Sequence, residues 1–182
     1  MNAQDSRLNE QPFGAGSRGA IIVSKLDDRE VLGAAQTDAC VLFTGKEDAV
    51  EALAQRIHNL SGWRHGPFLS VDCAWSEATL ESRLFGALLD DDMPSSGSQP
   101  RPRLSQEGTL FLKEVGRLSP ASQARLADHL AQLRMHGGGC RVRRRVMASS
   151  SETLLDRVNA GTFDARLFYR LNVIHLVLPM KV

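Results

Sequence analysis

Gly108-Thr-Leu-Phe-Leu-Lys-Glu-Val-Gly116 decides the fold. Leu110 to Leu112 is a short apolar run set between glycines, the pattern of a parallel strand buried on both faces. Such a strand needs helices above and below it, and the flanking chain supplies alternating elements. The residue pattern predicts helices over 27–35 and 48–59, the second with an apolar face of Val50, Leu53, Ala54 and Ile57. Strands are predicted at 41–43 and 67–71. Ser76 stands where a serine can cap a helix carrying Leu80, Leu84 and Phe85. Ser119-Pro120 opens a further helix that runs to about Arg134 and stops at the glycines 137–139. A strand over 142–148, a helix over 152–160 ended by Gly161, and a last strand over 173–178 complete the pass. The alternation implies an α/β protein with a three-layer arrangement, a parallel sheet with helices on both faces.

The strand at 109–112 ends in Lys113-Glu114. In P-loop ATPases a strand of this build ends in Asp-Glu, where the aspartate holds the magnesium of the nucleotide and the next acid polarises the attacking water. A lysine ammonium repels magnesium, although as a point charge it can contact a phosphate. Upstream, Thr37-Asp-Ala-Cys-Val-Leu-Phe-Thr-Gly45 has the form of a strand leading into a phosphate-binding loop. Such a loop needs several glycines, so that backbone N–H groups can approach the phosphates, and then a lysine. After Gly45 the chain reads Lys46-Glu-Asp-Ala-Val-Glu51. Glu47 or Asp48, together with Ala49, replaces the inner glycines, and two carboxylates stand where polyphosphate would rest.

Further stretches match in order: Ile57-His58, Gly66-Pro-Phe-Leu-Ser-Val-Asp-Cys-Ala74, Leu80-Glu-Ser-Arg-Leu-Phe-Gly86, Gly108 to Leu112, the helix with Gln123 and Leu126, and Phe163 with Leu167-Phe-Tyr-Arg-Leu-Asn172. In this collinear set, covering roughly residues 20 to 180, the chain resembles the central AAA+ domain of sigma-54-dependent transcriptional activators, the bacterial enhancer-binding proteins. The resemblance implies a P-loop NTPase-like α/β subdomain, here without its helical lid. Against that family, the loop is about one residue short, and its lysine position carries Val50. The metal-binding aspartate aligns with Lys113, the catalytic glutamate with Glu114, and the sensor asparagine with Ser151. Of two arginines that the family presents to a neighbouring subunit, one aligns with Asp164 and the other with Arg170. Asp72 stands where an asparagine usually orients the catalytic glutamate. Losses at the phosphate loop, metal site, sensor and finger together argue for a pseudo-ATPase, with Gly45 to Glu51, Glu114 and Arg170 as vestigial site residues. No cofactor and no metal is then expected. The alternative is a weakly ATP-binding regulator in which Lys46, Glu114 and Arg170 keep a residual response to ATP and magnesium.

The resemblance also bears on partners. The family contacts sigma-54 through a Gly-Ala-Phe-Thr-Gly-Ala loop, and residues 87–103 contain no such motif. Their Pro, Ser, Gly and acidic content predicts a mobile exposed loop over about 87–105, so direct sigma-54 contact is not expected. The chain closes at Leu178-Pro-Met-Lys-Val182 without the lid and helix-turn-helix that the resemblance implies beyond it, so no DNA-binding domain is expected here. The expected partner is a protein, either an active AAA+ activator or another transcription regulator.

Composition agrees with one domain over 20–182 behind a flexible tail over 1–19. The chain has 182 residues, is 42% hydrophobic and 24% charged, and can bury a core without disulfides or metal. A formal charge of +1 gives no global preference for nucleic acid or membrane. Cys40, Cys73 and Cys140 lie in no metal-ligand spacing and read as reduced core thiols. No signal peptide or membrane span is evident, and a cytoplasmic protein is expected. Arg141-Val-Arg-Arg-Arg145 reads either as a phosphate-contacting patch or, with more weight, as a charged edge strand or solvated strand start. Trp63 and Trp75 read as partner anchors or, with more weight, as partial core.

Overall fold

The computed structural model of the chain describes residues 20–21, 27–85, 107–135 and 143–178. The predicted tail over 1–19, the whole of the predicted loop over 87–105, the glycines at 137–139, Cys140 and Arg141 lie outside them.

Six strands form one sheet in the order β1-β6-β2-β5-β4-β3, every pair parallel. They are β1 (Ala20–Ile21), β2 (Val41–Thr44), β3 (Phe68–Asp72), β4 (Glu107–Lys113), β5 (Arg143–Ser150) and β6 (Ile174–Val177). The helices are α1 (Asp28–Ala35), α2 (Glu47–Leu60), α3 (Glu77–Leu80), α4 (Pro120–Met135), α5 (Leu154–Asn159) and α6 (Ala165–Leu171). Two apolar cores separate the three layers because alternate strand residues face opposite sides. Val41, Phe43, Phe111, Met147 and Leu176 meet α1 and α2 through Val31, Ala34, Val50, Ala54 and Ile57. Leu42, Leu110, Leu112, Val146 and Ala148 meet the other helices through Leu84, Leu126, Leu154, Phe163 and Leu167. The α/β class and parallel sheet expected from the residue pattern are the observed ones.

Several local expectations need correction. α2 begins at Glu47, one residue earlier than predicted, and α5 begins at Leu154, two later. Ser76 occupies the N-cap of α3 without a side-chain bond to the backbone; its hydroxyl meets that of Thr79 at 2.9 Å. The helix predicted beyond it is one α-turn followed by a π-helical turn at Glu81–Phe85, which places Leu84 and Phe85 in the core. The arginine run is no edge strand. β5 lies between β2 and β4, Arg144 is half-buried, and Arg145 is fully buried with its Nη2 donating to the Ala34 carbonyl at the end of α1. Cys40 and Cys73 are buried and in no disulfide, and burial pushes the Cys73 thiol far up. Trp63 is 9% exposed, with its indole donating to Asp38 at 3.0 Å, whereas Trp75 is 39% exposed with Arg83 over its ring.

Arg145 has consequences for the nearby His58. The His58 imidazole is buried, and its Nδ1 lies 2.8 Å from the Thr109 hydroxyl. Burial first, then the Arg145 guanidinium, hold it below its ordinary 6.5. His175, half-buried with Nε2 2.9 Å from the Thr44 hydroxyl, is lowered by burial. Both rings stay neutral in the folded chain at pH values where the unfolded chain already binds protons. Their contribution to stability is therefore complete above 6.5 and lost as pH falls below it. The thermal midpoint should drop between about pH 7.5 and 5, and His58→Gln should flatten that slope. A midpoint that rises on acidification would contradict the assignment.

Candidate functional site

The carboxyl ends of the central strands meet on one edge of the sheet, where open α/β sheets bind ligands. Register fixes the groups there. Thr44 is level with Ser150 on one side and Val177 on the other, and Asp72 is level with Lys113.

Between the end of β2 at Thr44 and the start of α2 at Glu47 stand only Gly45 and Lys46. Gly45 is required at its position, since a Cβ there would lie 2.8 Å from the Leu178 Cβ. Its N–H points to the Ser150 carbonyl at 3.4 Å, so it is turned into the sheet. Lys46 is the extended N-cap residue, and its carbonyl accepts the first helical bond, from the Val50 N–H at 3.1 Å. Val50, at the position the family reserves for lysine, is fully buried among the α1, α2 and sheet side chains. Glu47, Asp48 and Ala49 are exposed on the first turn, and the two acids there suit the positive end of the helix.

Lys113 closes the edge from the other side. Its ammonium lies 2.5 Å from Glu47 Oε1 and 3.5 Å from Glu51 Oε2, with the lysine side chain 19% exposed. The Glu47 carboxylate first, with Glu51 adding to it against burial, raises the ammonium above its ordinary value. The next residue, Glu114, has φ 51° and ψ 51°, in the left-handed region that a non-glycine residue rarely adopts. Its carboxylate Oε2 accepts from the Ser151 N–H at 3.2 Å and hydroxyl at 2.9 Å, while its own N–H donates to Ser149 Oγ at 3.2 Å. The aligned glutamate and sensor positions are thus brought into contact with each other. Asp72 Oδ1 accepts from the Ala74 N–H at 2.8 Å, closing the turn after β3.

The two positions aligned with the family's arginines lie on α6, which the residue pattern had not marked as a helix. Asp164 is its N-cap, accepting from the N–H groups of Arg166 at 2.7 Å and Leu167 at 3.1 Å. Arg166 Nη2 meets the same carboxylate at 3.0 Å, and this arginine above all holds Asp164 below the usual carboxylate range. Asp164 therefore serves its own helix and does not project as a free charge. Arg170, half-buried in the last turn, has no ion-pair partner among the described residues, and Tyr169 beside it is 69% exposed. Among the described residues no group of three or more His, Cys, Asp or Glu could hold a metal ion, and no helix is long and apolar enough to cross a membrane.

With this edge defined, the comparisons fix the class. The family model described as the Sigma-54 interaction domain matches residues 26–177, and the chain belongs to that family. The Nif-specific regulatory protein of Herbaspirillum seropedicae is 39% identical over 142 residues, covering 75% of this chain and 26% of that protein. Regulatory protein AtoC of Escherichia coli (strain K12) is 38% identical over 155 residues, covering 80% of this chain and 33% of that protein. The chain thus spans about a quarter to a third of the length of these relatives. Among solved structures, NtrX from Brucella abortus superposes with a TM-score of 0.68 at 28% identity, covering 84% of this chain and 36% of that one. The P-loop NTPase domain of an Escherichia coli sigma-54 activator, with a TM-score of 0.59 at 18% identity over 83% of this chain and 98% of that one, shares the fold.

The cap assignment is testable on stability. Asp164→Ala should lower the unfolding free energy by about 1 kcal/mol, within the range known for lost N-caps, read as a lower urea midpoint with an unchanged denaturant slope. An unchanged midpoint would mean that the cap is replaced by another group.

Proposed function

We propose that this domain is a non-catalytic, pseudo-ATPase relative of sigma-54-dependent activators that acts in bacterial transcription regulation through protein–protein contact. The observation that supports the reading is the ion pair of Lys113, which the resemblance aligns with the metal-binding aspartate, with Glu47 and Glu51 at the start of α2. A magnesium–nucleotide group does not fit this donor set. The cation site holds an ammonium, and the first turn of α2 presents carboxylates where phosphate oxygens would need N–H donors. The two-residue connection carries one glycine, Glu47 and Asp48 set carboxylates beside the first-turn N–H groups of α2, and Val50 offers no charge. Glu114 accepts two hydrogen bonds from Ser151 in place of polarising a water.

The retained sheet and helices support docking on an active AAA+ activator or another regulator, in the cytoplasm where transcription takes place. Because Asp164 is tied into its helix cap, the inhibitory effect in a mixed assembly would come from an empty nucleotide site and a missing first arginine, not from an intruding carboxylate. Calorimetric titration of the whole chain with ATP and magnesium should give heats equal to dilution. Equimolar chain added to a catalytically active sigma-54-dependent activator should lower its ATPase rate. Micromolar ATP binding would replace this reading with the nucleotide-responsive one, and an unchanged ATPase rate would remove that class of partner.

A further inference from the structure

Three segments end together at the carboxyl edge, and their own side chains join them. Glu47 and Glu51 lie one turn apart on α2, Lys113 ends β4, and Ser151 follows β5. Lys113 Nζ connects α2 to β4 through Glu47 at 2.5 Å and Glu51 at 3.5 Å. Glu114 connects β4 to the segment after β5 through Ser151. In a nucleotide hydrolase a metal ion and its phosphates tie such segments together from outside the chain, and only while bound.

From this juxtaposition we infer that Lys113, Glu47 and Glu51 form a built-in substitute for a bound metal–phosphate group, a lock that keeps α2 attached to β4 in one arrangement whatever the nucleotide level. The inference rests on the nucleotide-free reading above and extends it to regulation, since a locked edge presents partners with one constant surface. Two features make the lock local. Glu47 and Glu51 repel each other weakly at this spacing, so the ammonium between them relieves a conflict as well as making contacts. Glu47, with Asp48, also suits the amino end of α2, and the apolar face of Val50, Ala54 and Ile57 stays packed, so removing Lys113 leaves the helix formed and loosens its attachment at this end.

Hydrogen exchange on the full chain without nucleotide tests it, read at the amides of Gly45 and Val50, which bond to Ser150 and Lys46. Lys113→Met should speed exchange at these two amides by about three- to tenfold, the scale of a partly shielded ion pair, while Leu42 and Met147 in the sheet stay unchanged. Glu47→Gln with Glu51→Gln should do the same, and the triple variant should exchange no faster than either parent, because one shared interaction can be lost only once. Unchanged exchange in Lys113→Met, additive effects in the triple variant, or uniform acceleration across the sheet would each overturn the lock. Magnesium–ATP added to the unaltered chain tests the underlying reading separately. Slower exchange at Gly45 and Val50 would refute the absence of a nucleotide site, while the lock stands or falls on the nucleotide-free series.

Discussion

The two-residue step from β2 into α2 is the constraint on which the carboxyl edge depends. Thr44 is held in the sheet by β5 and β6, and Gly45 is packed against Leu178 too closely for any side chain. The helix must then begin at Glu47, and with 3.6 residues per turn its phase follows from that start. Val50, Ala54 and Ile57 fall on the buried face, and Glu47 and Glu51, one turn apart, fall on the side that meets Lys113. Loop length, buried valine and ion pair are therefore one structural fact. Because the helix starts at Glu47, its first-turn N–H groups have no acceptor within α2, and the side chains of Glu47 and Asp48 stand at that positive end.

The opposite edge of the sheet is organised around Arg145. A fully buried guanidinium is costly: burial pulls Arg145 down to about 10, with the field of Asp38 opposing the fall, and its Nη2 donates to the Ala34 carbonyl at the end of α1. Burial first, and then the same charge, hold His58 below its ordinary value. The carboxyl edge carries the candidate site, while this edge fixes where α1 and α2 end, and so where the start of α2 is delivered.

Much of this was legible in the sequence because the signals are local. The apolar run at Leu110 to Leu112 and the 3.6-residue spacing of Val50, Ala54 and Ile57 each report their own environment, and the ordered matches gave the family. The charges at Glu47, Asp48 and Lys113 were equally visible. Their mutual contact was not, because Lys113 and Glu51 are 62 residues apart, and only the strand order brings them together. The arginine run shows the same limit from the other side: read locally it suits a solvated edge, yet β5 pairs with a strand on each side and Arg145 points into a core. The short α6 escaped because its cap, Asp164, was weighed as a misplaced finger and not as a serviceable N-cap.

The altered charges at this edge are not scattered. Lys113 faces Glu47 and Glu51, Asp164 is matched by Arg166, and Glu114 is taken up by Ser151. A site losing its ligand by unconstrained drift would leave like charges and unpaired groups at the strand ends, each unfavourable without the ligand that once balanced it. Lys113, Glu114 and Asp164 thus each meet a partner within the same chain, whereas Arg170 has no ion-pair partner among the described residues. The paired groups hold the start of α2 and the ends of β4 and β5 together with interactions the chain itself supplies, and a fold kept in shape at this edge needs such interactions whether or not a ligand binds there.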